Sequence, residues 1–143
     1  MTLLVTMKRI LFTLLIVSTM GLAACGTSTA PTNPDVTATL EPVPAEYAGK
    51  TNPLGADAAT AGATVFNTNC SACHGPQAHG DGPAGASLDP APKNLVELSK
   101  VASDDYLFWR ISTGRSGSAM VAWKGILTDE QIWQVIAYIH TLK

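Results

Sequence analysis

Asn69-Cys70-Ser71-Ala72-Cys73-His74-Gly75 contains Cys-x-x-Cys-His, and no other stretch restricts the chain as strongly. Two thiols one helical turn apart can form thioethers to the two vinyl groups of a single porphyrin. A His directly after the second Cys then lies under the ring, where it can ligate iron. The pentapeptide is the attachment pattern of a c-type haem. A thioredoxin-like redox pair expects a strand before the motif and a βαβ context, but an Ala-rich, helix-like stretch precedes it here. A zinc site needs further Cys or His partners, and only His79 and His140 remain.

Three Cys is an odd number, so disulfide pairing cannot use them all. The third, Cys25, belongs to the N-terminus. Met7-Lys8-Arg9 is a basic start, Ile10 to Gly21 is mostly apolar, and Leu22-Ala23-Ala24-Cys25 follows. This is a secretory signal pattern over 1–24, with either Met1 or Met7 able to open it. The apolar run is shorter than the roughly 20 residues that span a bilayer. Leu-Ala-Ala-Cys resembles a bacterial lipobox, which implies a lipidated Cys25 and a protein held by lipid on the outer face of the cytoplasmic membrane. An uncleaved anchor with an idle Cys25 is the alternative. Loss of Lys8 and Arg9 with the signal leaves seven basic side chains against eleven acidic ones, near −4. With charged residues at only 14%, this balance speaks against a nucleic-acid partner.

Residues 25–54 are Pro-, Thr- and Ala-rich, with Pro31, Pro34, Pro42, Pro44 and Pro53 and no apolar period. They read as a tether spanning roughly 30 Å if flexible and about 90 Å if fully polyproline. The domain proper is 55–143. Ala59, Gly62, Val65 and Phe66 fall at helical spacing over 57–69, with Asp57 as a candidate N-cap. Residues 75–94 are rich in Gly and Pro and form loop. A short helix is expected over 94–100, and another from Ser103-Asp104-Asp105 to a stop at Gly114. Thr128-x-x-Gln131 is a capping box. Ile132, Val135, Ile136, Ile139 and Leu142 continue from it as one apolar stripe. No strand pattern is present. A domain of about 89 residues buries little surface and calls for a staple, a place a haem would fill.

These features resemble the class I, monohaem cytochromes c over residues 58–142. The resemblance rests on Gly62 and Phe66 in the first helix, Cys-x-x-Cys-His, a Pro-containing loop, a Met loop, and a last helix with Tyr138. It implies an all-α fold of three to five short helices around one haem c, covalently bound through Cys70 and Cys73. It also implies that Gly62 and Phe66 meet Val135 and Tyr138. Phe108-Trp109-Arg110-Ile111, Met120-x-x-Trp123 and Trp133-x-x-x-x-Tyr138 resemble more narrowly the monohaem subunits of bacterial respiratory complexes such as alternative complex III, a quinol-oxidising assembly.

His74 supplies one axial ligand. Met120, within Ser116-Gly117-Ser118-Ala119-Met120, is the expected second, because small residues let the backbone pass close over a ring. A core-filling role is the alternative for this Met. His79 is too near His74 to reach the opposite face, and His140 lies in the packing helix; both are expected in solvent. A ligating His donates its second N–H to a fixed acceptor. In the family that acceptor is a Pro carbonyl followed by an apolar residue, which points to Pro92 with Leu95, or to Pro90. Trp109 and Trp123 are candidates for haem contact or for ordinary packing. Arg110 and Arg115 are candidate propionate partners.

Iron held by His and Met changes valence without binding substrate, and the thioether raises its potential. The expected function is therefore one-electron transfer, with redox proteins as partners and no small-molecule substrate. The chain is read as a subunit of a quinol-oxidising complex, with a lipid-anchored shuttle as the alternative. A haem enzyme or gas sensor would need an acid or base over the iron, and around Met120 the sequence offers only Ser112, Thr113, Ser116 and Ser118.

Overall fold

The structure, a computed structural model, describes residues 40–143. The signal, Cys25 and the first part of the tether lie outside the described residues. Among the described residues five helices follow in order: α1 Ala58–Asn69, α2 Ser71–His74, α3 Leu95–Leu98, α4 Asp104–Thr113 and α5 Asp129–Ile139. Among the described residues there is no strand, only one isolated bridge between Lys124 and Leu127. Nor is any helix among them long and apolar enough to cross a membrane. The fold is all-α, as expected.

Its frame is the pairing of α1 with α5. Gly62 is buried where the two helices cross, and a Cβ there would lie 1.9 Å from the Gln134 carbonyl oxygen and 3.0 Å from Tyr138 Cβ. The missing side chain is what lets the helices approach so closely. One turn on, Phe66 is fully buried and its ring centroid is 5.3 Å from that of Tyr138. Ile132, Val135, Ile136 and Ile139 form the buried stripe of α5, and Leu142 packs partly buried beside them. α4 joins this core through Leu107, Phe108 and Ile111, with Phe108 stacked on Trp133 at 4.2 Å.

The helix ends show which local signals were used. Thr128 Oγ1 accepts from Gln131 N at 3.1 Å and Gln131 Oε1 accepts from Thr128 N at 2.9 Å, completing the capping box. Thr128→Ala is expected to cost about 1 kcal/mol of stability, measurable as a lower denaturant midpoint at unchanged slope. Asn94 caps α3 by accepting from Glu97 N at 3.2 Å. Asp57 does not cap α1. It already has helical dihedrals, and the first N–H groups donate instead to the carbonyls of Gly55, Ala56 and Asp57.

The tether boundary also differs. Residues 40–54 lie against the domain, with Leu40, Tyr47 and Leu54 packed on the core. Gly49 N–H donates to Asp105 Oδ2 and Asn52 N–H to Asp104 Oδ2, both at 2.8 Å. Asn52 Nδ2 donates to the Trp133 carbonyl at 2.9 Å. The first-turn carboxylates of α4, read from the sequence as opening that helix, also bind the incoming chain.

Candidate functional site: a haem cavity

α2 begins where α1 ends. Cys70 N–H donates to the Phe66 carbonyl, and the Cys70 carbonyl accepts from Cys73 N–H and His74 N–H. This single turn holds both thiols and the imidazole on one short helix. The loop after it folds back on the same turn, with Gly80, Gly82 and Ala84 N–H groups donating to the carbonyls of His74, Cys73 and Ala72. Leu95 N–H closes the loop on Ala78 O at 2.7 Å. The Pro-containing stretch is thereby laid beside His74.

His74 Nδ1 is 3.0 Å from the Lys93 carbonyl oxygen. A carbonyl only accepts, so Nδ1 carries the proton and the lone pair is left on Nε2. Burial pushes the His74 pKa down, partly countered by the Lys93 bond, which favours the neutral form that binds metals. The acceptor is thus Lys93, one residue beyond the expected Pro92. Pro92 and Pro90 instead form part of the wall beside it. Burial, and then the neighbouring Cys73, push the Cys70 thiol up to about 12. Neither Cys forms a disulfide.

Met120 is set by the end of α4. Gly114 has φ +71°, and a Cβ on it would lie 2.5 Å from Met120 O. Only Gly combines that dihedral with that proximity. Met120 O accepts from Arg115 N–H at 3.0 Å. Ser118 Oγ donates to Arg115 O at 2.9 Å and accepts from Met120 N–H at 3.2 Å. Trp123 N–H and Lys124 N–H then return to the carbonyls of Ile111 and Ser112. The small-residue loop is a hydrogen-bonded turn that fixes where Met120 emerges.

Between the α2 turn and this loop lies a cavity of about 300 Å³. Cys70, Cys73, His74, Met120, Leu95 and Trp123 all line it. It is far larger than the voids of a close-packed interior and falls in the range of cofactor sites. Phe66, Leu98, Leu107, Ile111, Val135 and Ile139 complete an apolar wall, and Lys93, Arg110 and Arg115 border it. Two thiols, a neutral imidazole, a thioether, an apolar wall and three cations suit an iron porphyrin that carries two carboxylates.

Trp109 does not line the cavity. Tyr106, Leu107, Arg110 and Ile111 share the cavity face of α4, and Trp109 falls beside it at 100° per residue. Its ring lies under Arg110 at 3.9 Å and meets Tyr106 edge-on at 5.8 Å. His79 is exposed. His140 Nε2 is 2.8 Å from Asp104 Oδ1, and neither His borders the cavity. Leu40 and Glu41, which the sequence assigned to the tether, do border it. Glu41 Oε2 lies 2.7 Å from Arg110 Nη2, and the two form an ion pair. The guanidinium beside Glu41 holds its carboxyl below the usual range. Burial pushes Arg110 down, and Glu41 and Tyr106 more than reverse it.

Fold and site together define a class I cytochrome c carrying one covalently bound haem c. Residues 57–139 match the family described as cytochrome c oxidase, cbb3-type, subunit III, and the chain belongs to that family. It is 37% identical over 102 residues to the cbb3-type cytochrome c oxidase subunit CcoP of Azospirillum brasilense, covering 68% of this chain and 34% of that protein. It is 38% identical over 86 residues to cytochrome c6 of Thermosynechococcus vestitus, covering 60% and 70%. Among solved structures, a chain of the Kuenenia stuttgartiensis reducing HAO-like protein complex superimposes with a TM-score of 0.52 at 19% identity, covering 76% of this chain and 49% of that one. The last likeness is one of fold alone. The chain spans about a third of the length of the oxidase subunit it matches.

Proposed function

We propose that the protein transfers single electrons through a haem c bound to Cys70 and Cys73, with His74 and Met120 as axial ligands. When bound, the haem supplies an iron that alternates between ferrous and ferric states. The observation that carries this reading is the placing of the imidazole and the thioether on walls of one largely apolar cavity. Lys93 O holds His74 in the tautomer that presents Nε2. The hydrogen-bonded loop holds Met120, and the apolar wall disfavours the extra charge of ferric iron.

A haem enzyme or sensor finds little support among these residues. Glu41 is the one carboxylate bordering the cavity among the described residues, and Arg110 occupies it. Ser118 is committed to the Met120 loop, and Thr113 Oγ1 donates to Trp109 O at 2.9 Å. Redox titration of the purified holoprotein is expected to give one reversible single-electron couple, and the ferrous form is expected not to bind carbon monoxide. Ready carbon monoxide binding at neutral pH would overturn the six-coordinate reading.

We further propose that the protein is a fixed subunit of a membrane electron-transport complex of the quinol-oxidising, alternative complex III-like kind. Lipid on Cys25 would hold it to the outer face of the cytoplasmic membrane. The relatives named as oxidase subunits support the subunit reading, and a lipid-anchored shuttle is the alternative. Extraction in mild detergent separates the two. A fixed subunit co-migrates with a large complex through high salt, whereas a shuttle is released as a monomer.

A further inference from the structure

Residues 40–54 meet the domain at two separated places. Leu40 and Glu41 border the cavity. Gly49 and Asn52 are held by Asp105, Asp104 and the Trp133 carbonyl, outside it. Between them Tyr47 and Ala48 N–H donate to Pro44 O at 2.9 and 3.0 Å, and the Tyr47 ring lies 6.4 Å from that of Phe108. The segment is one bent unit, anchored at one end and bearing a carboxylate at the other.

That carboxylate meets a cation with little access to water. The Arg110 side chain is 11% exposed, with the Trp109 and Tyr106 rings 3.9 and 5.4 Å from its Cζ. The rings attract a cation but do not neutralise it. Glu41, 59% exposed, is its counter-charge among the described residues. Moving 40–54 away would take that negative charge from the cavity border and leave Arg110 in place.

We propose that residues 40–54 are a redox-linked strap, docked through Glu41 on Arg110, which lowers the reduction potential of the haem and binds the oxidised protein more tightly than the reduced. The proposal rests on the cavity holding a redox-active haem. Oxidation adds one positive charge to the cavity, so a carboxylate at its border favours the oxidised state. Coupling between two equilibria is reciprocal, so oxidation favours docking by the same factor. Because the strap is continuous with the chain that leads to the N-terminus, a pull from that side would raise the potential.

The test uses the full-length holoprotein and two variants. Glu41→Gln keeps the shape and removes the charge. It is expected to move the ferric-to-ferrous ratio at fixed ambient potential about threefold toward ferrous, close to 30 mV upward at 59 mV per tenfold. Asn52→Ala removes no charge and lies outside the cavity lining, but loosens the anchored end. It is expected to move the potential the same way by a smaller factor, which a purely local role for Glu41 would not produce. Hydrogen exchange at the Gly49 and Asn52 amides is expected to be faster in reduced than in oxidised wild type, with the difference lost in Glu41→Gln. An unchanged potential in either variant overturns the proposal, as do equal exchange rates in the two redox states, while the wild-type couple itself stays intact. Absence of any reversible couple in wild type would remove both the strap and the electron-carrier reading.

Discussion

Met120→Ala is expected to lower the midpoint potential by more than about 60 mV, a greater than tenfold change in the ferric-to-ferrous ratio. It is also expected to let the ferrous protein bind carbon monoxide. Axial ligands set haem potentials over roughly 0.8 V, and a soft thioether favours the ferrous side of that range. The scaffold around Met120 does not depend on its side chain. Gly114, Ser118 and the Arg115 N–H act on the backbone of the loop, so the loop should persist in the variant. The lost potential then reports the ligand rather than a collapsed fold. A potential within error of wild type would return Met120 to the role of filler.

Gly62→Ala is expected to destabilise the holoprotein by about 2 kcal/mol or more, at the upper end of overpacking costs. For a domain of this size that lowers the melting temperature by roughly 10 °C. The sign is the informative part. Within a helix, Gly→Ala ordinarily stabilises, by up to about 1 kcal/mol. Here the new methyl would lie 1.9 Å from a backbone oxygen of the facing helix, which has no rotamer to retreat into. α1 and α5 must separate, loosening the Phe66–Tyr138 contact that closes the core behind the cavity. Thermal unfolding by circular dichroism measures the loss. An unchanged or raised melting temperature would mean the crossing has slack that its geometry does not show.

What could be read from the sequence was whatever leaves a side-chain signature at fixed spacing. Cys-x-x-Cys-His, the Thr128–Gln131 box and the stripe from Ile132 to Ile139 are of this kind, and each occupies the expected element. The Lys93 acceptor left no such trace, because a backbone carbonyl is the same at every residue and only the path of the loop selects one. Trp109 was a candidate for haem contact or for ordinary packing, because an indole suits either. One residue on a helix is a 100° rotation, and that rotation puts Trp109 beside the cavity face. Residues 40–54 were read as tether because their composition has no period. Their attachment uses three isolated apolar side chains and backbone N–H groups that reach carboxylates more than fifty residues away. Such contacts are invisible to any window along the chain. Glu41 was missed for the same reason, although among the described residues it is the acid that borders the cavity.

The claim that one iron is shared by His74 and Met120 has a direct optical test. The ferric wild-type protein should show the weak far-red band of methionine sulfur-to-iron charge transfer, and Met120→Ala should lack it. A ferric spectrum without that band in wild type, or a band that survives in Met120→Ala, would contradict the account.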